Sequence, residues 1–176
     1  QKFLDPDVTS TVANNGSVDL ALHAQRNTVF PELPRFGLRL FLPQEMSQVN
    51  YYGMGPMECY RDKHHAASHS SYTATVWQLH EDYIRPQENG SHFDCDYVML
   101  SGDAVRLTAV GTQPFSFNAS HYTQEELTRK AHNYELEPCG STVLCLDYAQ
   151  NGIGSESCGP RLLEQSRVDA ATFNFG

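Results

Sequence analysis

The residues Ser17-Val18-Asp19-Leu20-Ala21-Leu22-His23-Ala24 alternate polar and apolar with a period of two, and residues 36–42 do the same. That spacing places the apolar side chains on one face of an extended strand and the polar ones on the other. Further stretches read as strands: residues 49–52, 92–100, 104–110, 114–118 and 141–148, and a C-terminal run through Phe173 and Phe175. The turn Ser101-Gly102-Asp103 would fold 92–100 back on 104–110 as a hairpin. Pro31, Pro34 and Pro43 punctuate the region because proline cannot donate to a sheet ladder. Helix is scarce. Residues 122–131 are the best case: Thr123 can cap, Glu126 follows three residues later, and Tyr122 can staple onto Leu127. A short helix over 57–65 has a fainter signal. Many short strands and one helix predict an all-β, antiparallel sandwich.

The 176 residues suffice for one domain with its own core. Aromatic, Leu and Val residues are spread along the chain, which argues against disorder. A net charge of −9 argues against nucleic acid and anionic membranes as partners. No apolar run is long enough to span a bilayer. The chain starts at Gln1 in mid-composition, with neither a signal-peptide pattern nor an initiator Met, and reads as a fragment of a longer protein. Cysteines stand at 59, 95, 139, 145 and 158, an odd count without CxxC spacing. Reduced thiols in a cytoplasmic protein are expected, with a periplasmic or secreted parent left open. Cys95 and Cys145 fall inside strand-like runs and read as small core residues. Sequons at Asn15, Asn89 and Asn118 would matter only on a secretory route.

The candidate chemistry is thin. His64, His65 and His69 are close in sequence, and His80-Glu81-Asp82 precedes His92 and Asp94, but no spacing matches a metal motif. A solvated polar stretch accounts for them. Glu58, Asp62, Glu81, Asp82 and Glu88 could supply paired carboxylates for glycoside chemistry. A structural network of Glu58, Arg61, Asp62, Arg85, Glu88 and Asn89 is the simpler use, with Glu58, Arg61, Arg85 and Glu88 buried and hydrogen-bonded. No GxSxG motif, cysteine signature or phosphate-cradling glycine loop is present. Residues 151–160, Asn-Gly-Ile-Gly-Ser-Glu-Ser-Cys-Gly-Pro, form a long irregular connection between strands, where binding residues tend to sit on rigid scaffolds; an ordinary surface connection is the alternative.

Two blocks carry a family resemblance: Tyr52-Gly53-Met54-Gly55-Pro56-Met57-Glu58-Cys59-Tyr60-Arg61-Asp62 and Arg85-Pro86-Gln87-Glu88-Asn89-Gly90. With Phe115-Ser116-Phe117-Asn118, Tyr122 to Leu127 and Asp147 to Pro160, they resemble the C-terminal, small-chain domain of the bacterial β-galactosidases of glycoside hydrolase family 2. The resemblance implies a β-supersandwich of the galactose-mutarotase type, with residues 1–176 its C-terminal part and some strands upstream of Gln1. It also implies a parent enzyme that hydrolyses terminal β-D-galactosides with retention, using Mg2+ and a monovalent cation. The catalytic groups and metal ligands are then expected on a barrel domain outside this chain, so no catalytic residue and no metal ligand is expected here. In some members the domain lends a loop to the active-site rim, which maps onto Asn151, Gly152, Glu156, Ser157 and Cys158. Those members carry Trp at the position of Cys158, and a thiol lacks the aromatic face that stacks on a sugar. The expected partners are the barrel domain, a second copy through self-association, and a galactoside at the loop. The alternative is a free-standing sugar-binding or mutarotase-like domain, with carboxylates and His64, His65, His80 and His92 converging in a cleft. A third reading is a structural interaction domain with no ligand.

Overall fold

The structure, a computed structural model, describes residues 2–154 and 160–176. The described strands, in chain order, are β1 (Leu4–Val12), β2 (Val18–Arg26), β3 (Arg35–Pro43), β4 (Gln48–Gly55), β5 (Ser68–Thr75), β6 (Ser91–Ser101), β7 (Arg106–Ser120), β8 (Ser141–Gln150) and β9 (Thr172–Phe175). β1, β2 and β9 make a three-stranded sheet in the order β1-β2-β9. The other six make a sheet ordered β3-β8-β7-β6-β4-β5. Every pairing is antiparallel. The one α-helix among the described residues, α1 (Gln124–Arg129), is shorter than the predicted 122–131, and the Thr123 hydroxyl caps it by accepting from Glu126 N at 3.1 Å.

The sheets meet face to face over an apolar core. Tyr51, Val49, Val98, Leu100, Phe117, Val143, Leu144 and Phe173 are fully buried. Each such aliphatic or Phe side chain contributes roughly 1.5–3 kcal/mol on leaving water. Phe36 of β3 stacks on Phe173 of β9 at 4.6 Å between ring centroids, which ties the large sheet to the small one. Cys95 and Cys145 are buried on β6 and β8, and burial pushes the Cys145 thiol up to about 11.

Three departures from the sequence pattern have physical reasons. Residues 106–110 and 114–118 join into one long strand, because a register shift against β6 between Val110 and Phe115 lets β7 carry on past Pro114. β1 and β5 are edge strands that no pattern marked. β1 is exposed at eight of its nine residues and holds Pro6, which an edge tolerates, while β5 is mostly Ser, His and Thr. Residues 57–65 form no helix. Their backbone groups are taken by other partners: Cys59 N donates to Ser91 O at 2.8 Å, and Tyr60 and Lys63 pair backbone to backbone.

Candidate functional site

Glu58 lies in the turn after β4 and is only 5% exposed. Its carboxylate accepts from Lys63 Nζ, from the Tyr83 hydroxyl and from Gly90 N at 2.8 Å. Burial alone would raise its pKa. The three donors and the Lys63 charge outweigh burial and hold Glu58 below the usual carboxylate range. Gly90 has φ +72°, and a Cβ there would stand 2.5 Å from Leu79 O, so only glycine brings this amide to Glu58. Asn89 closes the irregular segment before it: its Oδ1 accepts from Glu81 N at 3.1 Å and its Nδ2 donates to Gln87 O at 2.9 Å. Asn118 Nδ2 of β7 donates to Asn89 O at 2.5 Å and pins the segment to the large sheet.

A second ionic centre sits where β3 and β8 pair. Arg35 donates from Nε to Asp147 Oδ1 at 3.1 Å and from Nη2 to Oδ2, a bidentate contact. Its Nη1 donates to Glu88 Oε2 at 3.1 Å. Two carboxylates therefore share one guanidinium. Burial pushes both Glu88 and Asp147 up, and Arg35 pulls them only part of the way back. Arg35 loses solvation too, yet the bonds and charge of Asp147 hold it protonated more firmly than a free arginine.

The start of the 151–160 connection is fixed by the turn that carries Glu58. Asp62 is exposed, and its two oxygens accept from Ile153 N at 3.0 Å and Gly154 N at 2.8 Å. A Cβ on Gly152 would come within 2.4 Å of the Asp62 carboxyl carbon, so the close approach depends on glycine. Asn151 N donates to Pro34 O, Asn151 Oδ1 accepts from Val168 N at 2.5 Å, and Gly152 N donates to Ser166 O. Arg61 reaches Arg167 O at 3.4 Å. Glu156, Ser157 and Cys158 lie outside the described residues.

The structure thus brings Asp62 to Asn151 and Gly152, and Glu58 to the Glu88–Gly90 segment. It does not bring in Arg85. That side chain is exposed and has no hydrogen bond or ion pair among the described residues, because Pro86 and Asn89 take the inward positions of the segment. The expectation of a buried, bonded Arg85 is corrected. Arg61 and Glu88 are half-buried rather than buried. The cations that serve the carboxylates are Lys63 and Arg35, which the sequence reading missed together with Tyr83 and Asp147. Asp147 did leave a signal, as the one charged residue in the apolar run Val143 to Tyr148.

The histidines do not converge. His92 is 1% exposed, stacks on Phe117 at 5.0 Å, and is pushed down to about 4 by burial. His64 stacks on His65, and His80 packs on Tyr122. Among the described residues no group of three or more His, Cys, Asp or Glu side chains is arranged to hold a metal ion.

A two-sheet antiparallel domain, with Glu58 and Asp147 tied to cations and one connection clamped at its base, is an all-β sandwich. The family model for the β-galactosidase small chain matches residues 2–176, and the chain belongs to that family. It is 46% identical over 174 residues to a β-galactosidase of Actinobacillus pleuropneumoniae, covering 99% of this chain and 17% of that protein. It is 42% identical over 168 residues to a β-galactosidase of Staphylococcus xylosus, covering 96% of this chain and 17% of that protein. To a β-galactosidase of an Arthrobacter species it is 37% identical over 150 residues, covering 81% of this chain and 14% of that protein. The chain spans about a sixth of the length of these relatives. None of its described helices is long and apolar enough to cross a membrane.

Proposed function

We propose that this chain is a non-catalytic domain of a β-galactosidase that hydrolyses terminal β-D-galactosides, where it buttresses the catalytic barrel and shapes the active-site rim with residues 151–160. The Asp62 clamp on Ile153 and Gly154 carries this reading. A connection with no role beyond joining two strands gains little from a carboxylate on two successive amides plus three further bonds at Asn151 and Gly152. The state of the buried acids supports the non-catalytic part. Glu58 and Asp147 are each bonded to a cation and Glu88 shares that of Asp147, an arrangement that suits holding shape better than proton transfer. In this reading Mg2+ and the monovalent cation belong to the barrel. Buried free thiols at Cys59, Cys95 and Cys145 support a cytoplasmic setting.

The test uses the parent enzyme with Asp62→Ala, Cys158→Ala and Cys158→Trp, measuring KM and kcat on a galactoside. Cys158→Trp is expected to lower KM several-fold, as an added sugar–aromatic contact of about 1 kcal/mol would do. Asp62→Ala is expected to raise KM. If all three variants match the parent, the loop has no part in the rim and its role is confined to packing. The isolated chain is expected to leave a chromogenic β-galactoside intact.

A further inference from the structure

The dipeptide Asn-Gly occurs at 15–16, 89–90 and 151–152. Glycine has no side chain to shield its backbone nitrogen. That nitrogen can therefore reach the side-chain amide carbon of the preceding asparagine and close a five-membered imide. In a folded protein the reaction has three requirements. The glycine nitrogen must give up its proton, the asparagine side chain must turn toward it, and water must reach the ring. The fold treats the three pairs differently.

At 89–90 all three requirements fail. Asn89 is 5% exposed, its Oδ1 accepts from Glu81 N and its Nδ2 donates to Gln87 O, so turning the side chain breaks two bonds. Gly90 N donates to the Glu58 carboxylate, whose negative charge opposes loss of the proton. At 151–152 Asn151 Oδ1 is held by Val168 N, and Gly152 N donates to Ser166 O at 2.9 Å. Gly152 is also buried against the Asp62 carboxyl group.

Asn15-Gly16 lies in the turn between β1 and β2, where residues 13–17 are all exposed. Gly16 has φ +86°, the left-handed conformation that hairpin turns draw from glycine. A Cβ there would meet nothing within 4 Å, so the surroundings leave room for a ring. Gly16 N donates to Ala13 O at 3.1 Å, a bond that water replaces at little cost because both partners are exposed. Asn15 Oδ1 accepts from Ser17 N at 3.0 Å, which draws electrons from Cγ and makes it a better target for attack.

We propose that Asn15 is a site of spontaneous deamidation through an imide formed with Gly16, and that the fold protects Asn89 and Asn151 from the same reaction. Gly16 N gives its proton to a solvent base and forms a bond to Asn15 Cγ. The Cγ–Nδ2 bond breaks, and Nδ2 takes a proton from water and leaves as ammonia. Water then opens the ring at either of its two carbonyl carbons. One product is aspartate at position 15. The other keeps the link through Cγ, which inserts an extra carbon into the backbone of the turn. Both carry a negative charge that the amide lacked.

The test uses the parent enzyme, incubated in mildly alkaline buffer, one portion folded and one unfolded in denaturant. Peptide mapping by liquid chromatography and mass spectrometry follows the mass gain of amide-to-acid conversion at each pair. In the folded enzyme the Asn15 peptide is expected to convert and to split into two isomeric products. The Asn89 and Asn151 peptides are expected to convert at least about tenfold more slowly, since they react only through an opened state. In the unfolded portion all three are expected to convert at similar rates, because the dipeptide is the same. Asn15→Gln separates Asn15 from its neighbour Asn14: the mass gain in that peptide is expected to vanish, and its persistence assigns the reaction to Asn14 and overturns the proposal. An Asn15 amide that survives in the folded enzyme while the unfolded chain converts also overturns it. So does conversion of Asn89 or Asn151 as fast as that of Asn15 in the folded enzyme, or a single product without its isomer.

Discussion

Glu58 and Glu88 come from the two most distinctive sequence blocks, yet their surroundings push the two carboxyls in opposite directions. Both lose solvation, which on its own raises a carboxyl pKa. The donor count separates them. Glu58 has an ammonium, a hydroxyl and a backbone amide to itself. Glu88 shares Arg35 with Asp147, which holds that guanidinium by two bonds. Burial by itself therefore does not say whether an acid stabilises its charged form; the number of donors per carboxylate decides.

Removing the shared cation gives the largest expected effect. Arg35→Ala leaves two carboxylates facing each other with no counter-charge, and should lower unfolding stability by about 3 kcal/mol, the low end for a buried pair because Arg35 keeps some solvent contact. The midpoint of denaturant unfolding checks it; an unchanged midpoint would erase the distinction between the two centres. Glu58→Gln keeps an acceptor for Gly90 N but loses the charge opposite Lys63, and should cost about 2 kcal/mol by the same measurement.

The pH dependence sharpens the contrast by sign. Glu58 is held below its unfolded value, so its contribution is present above the ordinary carboxylate range and is lost as pH falls through its folded pKa. Glu88 is held above its unfolded value, so its contribution is present in acid and is lost as pH rises through its folded pKa. Measured from neutral pH downward, the deficit of Glu58→Gln relative to the parent sequence should shrink. The stability of Glu88→Gln relative to the parent sequence should instead fall. Slopes of the same sign for both variants would refute the donor-count account. The smallest effect belongs to Arg85→Ala, expected within about 0.5 kcal/mol of no change, because that exposed side chain serves neither centre. A loss as large as that of Glu58→Gln would restore Arg85 to the network.

Legibility followed periodicity. β2 and β3 were readable because one face of each is apolar at every second residue, and most of β6 and β8 was marked by apolar content. β1 and β5 were not, since an edge strand is stabilised by backbone pairing to a single neighbour and needs no apolar face. The apparent helix at 57–65 failed for a related reason. Its local pattern was outweighed by long-range bonds from Cys59 to Ser91 and from Glu58 to Gly90. Among the site residues, Glu58, Asp62 and Glu88 could be singled out as charged residues in distinctive blocks. Their partners could not, because Arg35, Tyr83 and Asp147 lie far from them in the chain and meet them only through sheet pairing and loop packing.

What the amino-acid sequence determined by itself was the all-β class, the position of most strands and the family. These depend on residue types at short, fixed spacing, which the chain carries wherever it goes. Which cation serves which carboxylate, that Asp62 rather than an arginine clamps residues 153 and 154, and that Arg85 faces water were decided only by the tertiary structure. Those facts depend on the register of β3 against β8 and on where the Gly90 and Gly152 backbones approach their neighbours. Charge pairing acts over a few ångströms in space, and no spacing along the chain encodes it.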